Sequence, residues 1–161
     1  MPAWHRTAEY KLIYEFYRGQ RAQRSGLPLI NHIKEGVDLL HNWNRPEIEV
    51  RAFCLHPLVQ NNLFLADPKL FESYPLAVEY AQKANAYLYK PENDLWDDPS
   101  SVSHRLGDMS IGCAWMLLAD KVQNQKDFRI HHWFSHPRRH QLEHYFNLWI
   151  ETLRAYYLGD I

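Results

Sequence analysis

The sequence predicts an all-α protein. Apolar residues recur at three- and four-residue spacing through most of the chain, which is the period of a helix with one buried face. No segment shows the strict alternation of a half-buried strand. Turn-forming stretches such as Ser25-Gly26-Leu27-Pro28, Asn44-Arg45-Pro46 and Asp67-Pro68 fall between the periodic stretches, as connections between helices require. A chain of 161 residues, 46% hydrophobic and 14% aromatic, is long and apolar enough for one core, so residues 1–161 are read as one domain.

The elements follow in order. Residues 7–24 are expected to form the first helix, with Thr7 as its cap and Tyr10, Ile13, Tyr14 and Tyr17 as its apolar stripe. Ser25-Gly26-Leu27-Pro28 ends it. Residues 29–43 form the second, with Ile33, Val37 and Leu40 inward and His32 at the edge of the buried face. Pro46 starts the third, which carries Ile48, Ala52 and Leu55 to His56. Pro57 is expected to interrupt that helix beside His56. Residues 69–88 are helical, with a kink or break near Tyr74 ahead of Pro75. Residues 90–100 are a loop whose acidic run reads as solvated. Residues 101–127 read as one long helix, apolar on all sides through Ile111–Leu118 and therefore buried. The last helix covers 138–158, with Leu142, Phe146, Trp149, Leu153 and Tyr156 inward.

Charge and composition exclude several classes of function. Eighteen basic residues nearly balance nineteen acidic ones, so no broad electrostatic footprint for DNA, RNA or an anionic membrane exists. No apolar run reaches the length of a membrane span, and the N-terminal stretch has no signal-peptide core. Cys54 and Cys113 sit in apolar runs and read as reduced core residues, which fits the cytoplasm. Neither a phosphate-binding Gly-rich loop nor a Gly-x-Ser-x-Gly element is present.

Ten histidines are many for this length. His32, His56 and Asp120 each lie within or beside an apolar helical run, on three separate helices. Two imidazoles and a carboxylate are ordinary ligands for manganese, iron or zinc. Each is equally a hydrogen-bonded core residue until the helices are brought together. His140-Gln141-Leu142-Glu143-His144 matches the His-x-x-Glu-His pattern of one peptidase class, but a polar helix face explains it as well. Arg18, Arg21 and Arg24 are spaced for one helical face, which a solvated surface also explains.

Three motifs resemble the HD superfamily of metal-dependent phosphohydrolases, closest to the hydrolase domain of RelA/SpoT-type alarmone enzymes and the small alarmone hydrolases. Arg24 precedes Pro28-Leu29-Ile30-Asn31-His32, similar to the family's arginine and Pro-Tyr-Ile-x-His element. Ala52-Phe53-Cys54-Leu55-His56-Pro57-Leu58-Val59-Gln60-Asn61 is similar to its Ala-x-Leu-Leu-His-Asp-x-x-Glu-Asp element. Leu118-Ala119-Asp120-Lys121-Val122-Gln123-Asn124 is similar to its Leu-Ala-Asp-Lys-x-x-Asn element. The resemblance implies a compact HD-domain helical bundle. It implies His32, His56 and Asp120 as metal ligands, Arg24 near a purine base, and Asn124 on the metal or sugar side of a pocket for a phosphorylated purine nucleotide. The departures are as informative. The family's aspartate ligand is Pro57, and its water-activating Glu-Asp pair is Gln60 and Asn61, amides that cannot act as a base near neutral pH. A dication would meet one protein carboxylate instead of two. Asp67, Glu72 or the acidic loop at Asp94, Asp97 and Asp98 could supply a replacement. The alternative is an inactive relative that works by nucleotide sequestration or protein–protein contact. An aromatic-rich surface leaves a homo-oligomer open.

Overall fold

The computed structural model describes residues 3–89 and 97–159. These contain seven packed α-helices: α1 (Ala8–Tyr17), α2 (Ile30–Asn42), α3 (Glu47–Gln60), α4 (Tyr74–Ala86), α5 (Pro99–Leu106), α6 (Ile111–His131) and α7 (Arg139–Thr152). Short 3₁₀ turns cover Ala3–Arg6 and Pro68–Leu70, and a π turn, Leu153–Tyr157, extends α7. There is no strand among the described residues; a single isolated bridge pairs Arg21 with Pro28. None of these helices is long and apolar enough to cross a membrane.

The all-α expectation holds, and several boundaries move for identifiable reasons. Thr7 caps α1 by accepting from the Tyr10 N–H at 3.2 Å. The helix then stops at Tyr17, not Arg24, because Gly19 takes a left-handed conformation with φ of 73°. Arg18, Arg21 and Arg24 therefore do not share a helical face. Arg18 pairs with Glu15, and Arg21 donates to the Gly26 carbonyl. The long helix expected over 101–127 is two helices. Gly107, with φ of 63°, ends α5, and Ser110 caps α6 by accepting from the Cys113 N–H. The break expected near Tyr74 is present, since α4 begins there; Pro75 adds no kink, because it lies in the first turn of α4, where a missing N–H breaks no ladder bond. Tyr156 and Tyr14 are half exposed rather than inward. The loop expected at 90–100 lies largely outside the described residues.

The core runs through α2, α3 and α6. Ile33, Val37, Phe53, Leu55, Leu117 and Leu118 are buried there, together with the free thiols of Cys54 and Cys113. Burial pushes both thiols up, which keeps them protonated. Gly36 sets the approach of α2 to α3. A Cβ at that position would stand 2.2 Å from the Phe53 ring, so only glycine allows this spacing. Under the core, Glu9 of α1 accepts from Arg51 of α3 at 2.9 Å and from the Ser73 hydroxyl at 2.8 Å. Burial opposes the Glu9 charge, but Arg51 and Ser73 more than offset it and lower its pKa.

Pro57 is the main surprise. It sits inside α3, and the helix runs through it to Gln60. A proline cannot donate to the carbonyl four residues back, here Phe53. The imidazole of His56 takes over: its Nδ1–H lies 2.6 Å from the Phe53 oxygen. The bond that the backbone loses is replaced by a side chain one residue away, so no interruption is needed.

Candidate metal centre

The packing of α2, α3 and α6 brings His32, His56 and Asp120 to one point. Their ligand atoms all lie within 4.8 Å of one another. His32 Nε2 is 3.2 Å from Asp120 Oδ1 and 3.3 Å from His56 Nε2, and His56 Nε2 is 3.9 Å from the same oxygen. His56 and Asp120 are 3% and 4% exposed, whereas His32 is half-buried at the edge of the cleft described below.

The neighbours of each ring fix where its protons lie. The Phe53 carbonyl can only accept, so His56 carries its proton on Nδ1. Burial, and next the charge of His32, depress the His56 pKa to about 3, so the ring is neutral and Nε2 is a bare lone pair. His32 Nδ1 faces Gln123 Oε1 at 2.5 Å. The orientation of that amide is not arbitrary. Its Nε2 lies 3.2 Å from Glu35 Oε2 and 2.6 Å from Asp127 Oδ2, and carboxylates accept only. Gln123 therefore presents its oxygen to His32, and His32 Nδ1 donates. Lys126 bridges Glu35 and Asp127 and balances their charge.

Asp120 is held from the other side. Lys121 Nζ sits 2.9 Å from Oδ2, which leaves Oδ1 to the histidines. Lys121 is itself buried over the face of Trp149, 5.0 Å from its centroid. Burial would raise the Asp120 pKa, but the Lys121 charge and the His32 hydrogen bond hold it well below the usual carboxylate range. Tyr80 packs 4.6 Å from His56; burial, then the adjacent carboxylate, keep its phenol protonated.

The result is two imidazole Nε2 atoms and one carboxylate oxygen aimed at a common point with both Nδ1 protons spoken for. Three acceptors so arranged repel each other unless a cation lies among them. With no ion, one proton can do this. Burial disfavours charge on His32, but Asp120 outweighs it and raises the His32 pKa, so its Nε2–H is shared toward Oδ1. The donor set also fits a divalent ion. Ligand bonds of about 2.0–2.2 Å place neighbouring donors around a tetrahedral ion roughly 3.3 Å apart. Two of the three separations match that spacing, and the third is wider.

The other expected residues divide. Arg24, His32 and Asn124 line one cleft of about 590 Å³, with Lys121, Tyr17, Phe128 and Tyr145 among its walls. His56 and Asp120 are not on its surface; His32 and Lys121, which touch Asp120, stand between. Gln60 points elsewhere, into a separate groove where its amide donates to Asn85 at 3.3 Å. Asn61 donates to the Pro57 carbonyl at 2.8 Å. None of the substitute carboxylates among the described residues joins the triad. Asp67 caps the 3₁₀ turn, Glu72 is exposed near Arg51, Asp97 pairs with Arg105, and Asp98 forms the capping box of α5. Asp94 lies outside the described residues. The peptidase-like motif is not a site either: Glu143 is engaged by Arg129, and His140 packs edge-on against Trp133.

Sequence reasoning missed Gln123, Glu35, Asp127, Tyr80 and the role of Lys121. A signal existed. Glu35 follows His32 by three, and Gln123 follows Asp120 by three, so each shares a helical face with a ligand. Comparison with known proteins gives no matching family, no matching curated protein and no matching solved structure, so the geometry of the site carries its own argument.

Proposed function

We propose that this is an HD-type protein that binds a divalent metal through His32, His56 and Asp120 and a phosphorylated purine nucleotide in the adjoining cleft, with weak or altered phosphohydrolase activity. The observation that carries the reading is the convergence of two imidazole Nε2 atoms and one carboxylate oxygen, with outer partners that hold the Nδ1 proton of each histidine. Outer hydrogen bonds of this kind orient metal ligands in known sites. A manganese, iron or zinc ion there would polarise a phosphoryl oxygen and lower the pKa of a coordinated water.

The chain's own residues do the rest. With both histidines neutral, Asp120 and Lys121 cancel, so a dication adds about two uncompensated positive charges. An anionic ligand relieves that charge, and metal and phosphate are expected to bind cooperatively. Arg24 supplies further positive charge to the cleft, and Asn124 offers a neutral donor and acceptor in its wall. Tyr17, Phe128 and Tyr145 supply flat faces for a base.

Among the described residues no further carboxylate joins the triad as a base. Amides occupy positions 60 and 61, and Gln60 faces another groove. A general base contributes roughly 10²–10⁴ in rate, so turnover by this protein is slow. The burial of His56 and Asp120 favours a second reading, an inactive relative that sequesters nucleotide or acts through protein contacts.

Metal analysis of the purified protein, followed by incubation with guanosine tetraphosphate and common purine nucleotides plus Mn²⁺, tests the proposal. Turnover lost in His56→Ala and Asp120→Ala supports the enzyme. Saturable binding without turnover supports sequestration. Absence of both metal and nucleotide binding refutes the enzyme and the sequestering protein alike and leaves a role in protein contact.

A further inference from the structure

The cleft extends well past the triad. Asn124, Phe128 and His132 succeed one another at four-residue spacing along α6 and its cap, and all three line the wall. From Asp120 to His132 the helix rises about 18 Å. Arg24 and His136 line the wall with them.

The far end gathers positive charge. Arg18, Arg45, Arg51, Arg105 and Arg129 each meet a carboxylate, but Arg24 has no such partner among the described residues. His132 and His136 are half-buried. Burial, and then the charge of Arg24, lower the pKa of each, so the three groups feel one another across shared space. His131 also faces His132, and Arg138 faces His136. Asp127, a carboxylate that lines the same cleft, acts on His132 and is engaged by Gln123 and Lys126. His136 accepts from the Arg138 N–H at its Nδ1, which leaves Nε2–H as its donor. A guanidinium without a carboxylate partner, set in the wall of a cleft with two imidazoles that gain a proton more easily beside an anion, is stabilised by an incoming anion.

We propose that Arg24, His132 and His136 form a second anion subsite, so that the ligand of this cleft is elongated, carries a phosphate or similar oxyanion at each end, and has a planar, stackable middle. The inference rests on the metal-and-nucleotide reading above and narrows it: one anionic end lies toward the triad and Lys121, and the other lies at Arg24. Phe128, Tyr17 and Tyr145 favour a middle built on bases over a plain chain of phosphates. It also assigns Arg24 to an anion rather than to a purine base.

The test is calorimetry on Mn²⁺-loaded protein with two probes that differ by one terminal phosphate, the diadenylates pApAp and pApA. Wild-type protein should bind pApAp about tenfold or more tightly than pApA, the value of one set of charge-assisted bonds. The ratio should be larger at pH 6 than at pH 8, as His132 and His136 gain protons. Arg24→Ala and the double variant His132→Gln/His136→Gln should each bring the ratio to within about twofold. His32→Ala should instead weaken both probes together. Equal binding of the two probes by wild-type protein overturns the second subsite and leaves the metal-and-nucleotide reading standing. Failure of wild-type protein to bind either probe overturns both.

Discussion

Replacing Gln123 by Leu tests the mechanism by which the triad is kept ready. Gln123 is 2% exposed and touches no atom at the centre of the site, so its effect must pass through His32. Leucine removes the oxygen that accepts the Nδ1–H at 2.5 Å. The ring then either leaves a buried N–H without a partner or turns its proton onto Nε2, where it blocks the ligand position. The first outcome costs about 1–3 kcal/mol. At 1.4 kcal/mol per decade, metal affinity should fall roughly 5- to 150-fold, and losses of about 10–100-fold are usual for an outer partner of a ligand. Glu35 and Asp127 lose a donor but keep Lys126, so the fold should survive. Mn²⁺ titration by calorimetry gives the affinity, and ¹⁵N-resolved NMR of the metal-free protein gives the protonation of each His32 nitrogen. Gln123→Glu keeps an acceptor toward His32 and should hold Mn²⁺ affinity while lowering the melting temperature, because three carboxylates then share one lysine. A Gln123→Leu protein that binds Mn²⁺ within twofold of wild type, with His32 still protonated on Nδ1, would refute the reasoning.

Other substitutions probe other links. Pro57→Ala restores an N–H that competes with His56 for the Phe53 carbonyl; Tm should rise by the equivalent of up to about 3 kcal/mol, while Mn²⁺ affinity drops several-fold. No change in either would mean that His56 does not depend on that carbonyl. Gly36→Ala should cost about 1–3 kcal/mol in urea denaturation, since its Cβ would overlap the Phe53 ring. Glu9 has a lowered folded pKa, so its contribution is present above the ordinary value of 4.5 and is lost as pH falls through the folded value. Melting temperature should therefore decline below about pH 5, and Glu9→Gln should flatten that decline while lowering stability near neutrality by roughly 3 kcal/mol. Finally, saturating phosphate should tighten Mn²⁺ binding and Mn²⁺ should tighten phosphate by the same factor, as linkage demands; independent binding would contradict the charge argument.

The three proposed ligands could be read from the chain because each is a polar residue within or beside a run of helix-forming apolar ones. Such a residue must find a partner inside. Arg24, His32 and Asn124 could likewise be named, and they line one cleft. The amide that orients His32 could not, because the Gln123–His32 contact depends on how α2 crosses α6, a property of both surfaces together. The helix boundaries failed where one glycine decided them. Gly107 and the cap residue Ser110 mark the break between α5 and α6, but apolar helical spacing continues on both sides and hides it. Pro57 misled in the opposite direction: proline weighs against a helix only while its orphaned carbonyl stays empty, and the imidazole before it fills the gap.

The triad takes one donor from each of three helices, with His56 following His32 by 24 positions and Asp120 following it by 88. An ion held there is a cross-link that ties remote parts of the polymer and restricts the unfolded ensemble only while it is bound. Depletion by a chelator would thus loosen α2, α3 and α6 together, and amide hydrogen exchange would quicken along all three in concert. Cellular metal supply would then set the rigidity of the scaffold as well as the chemistry at its centre.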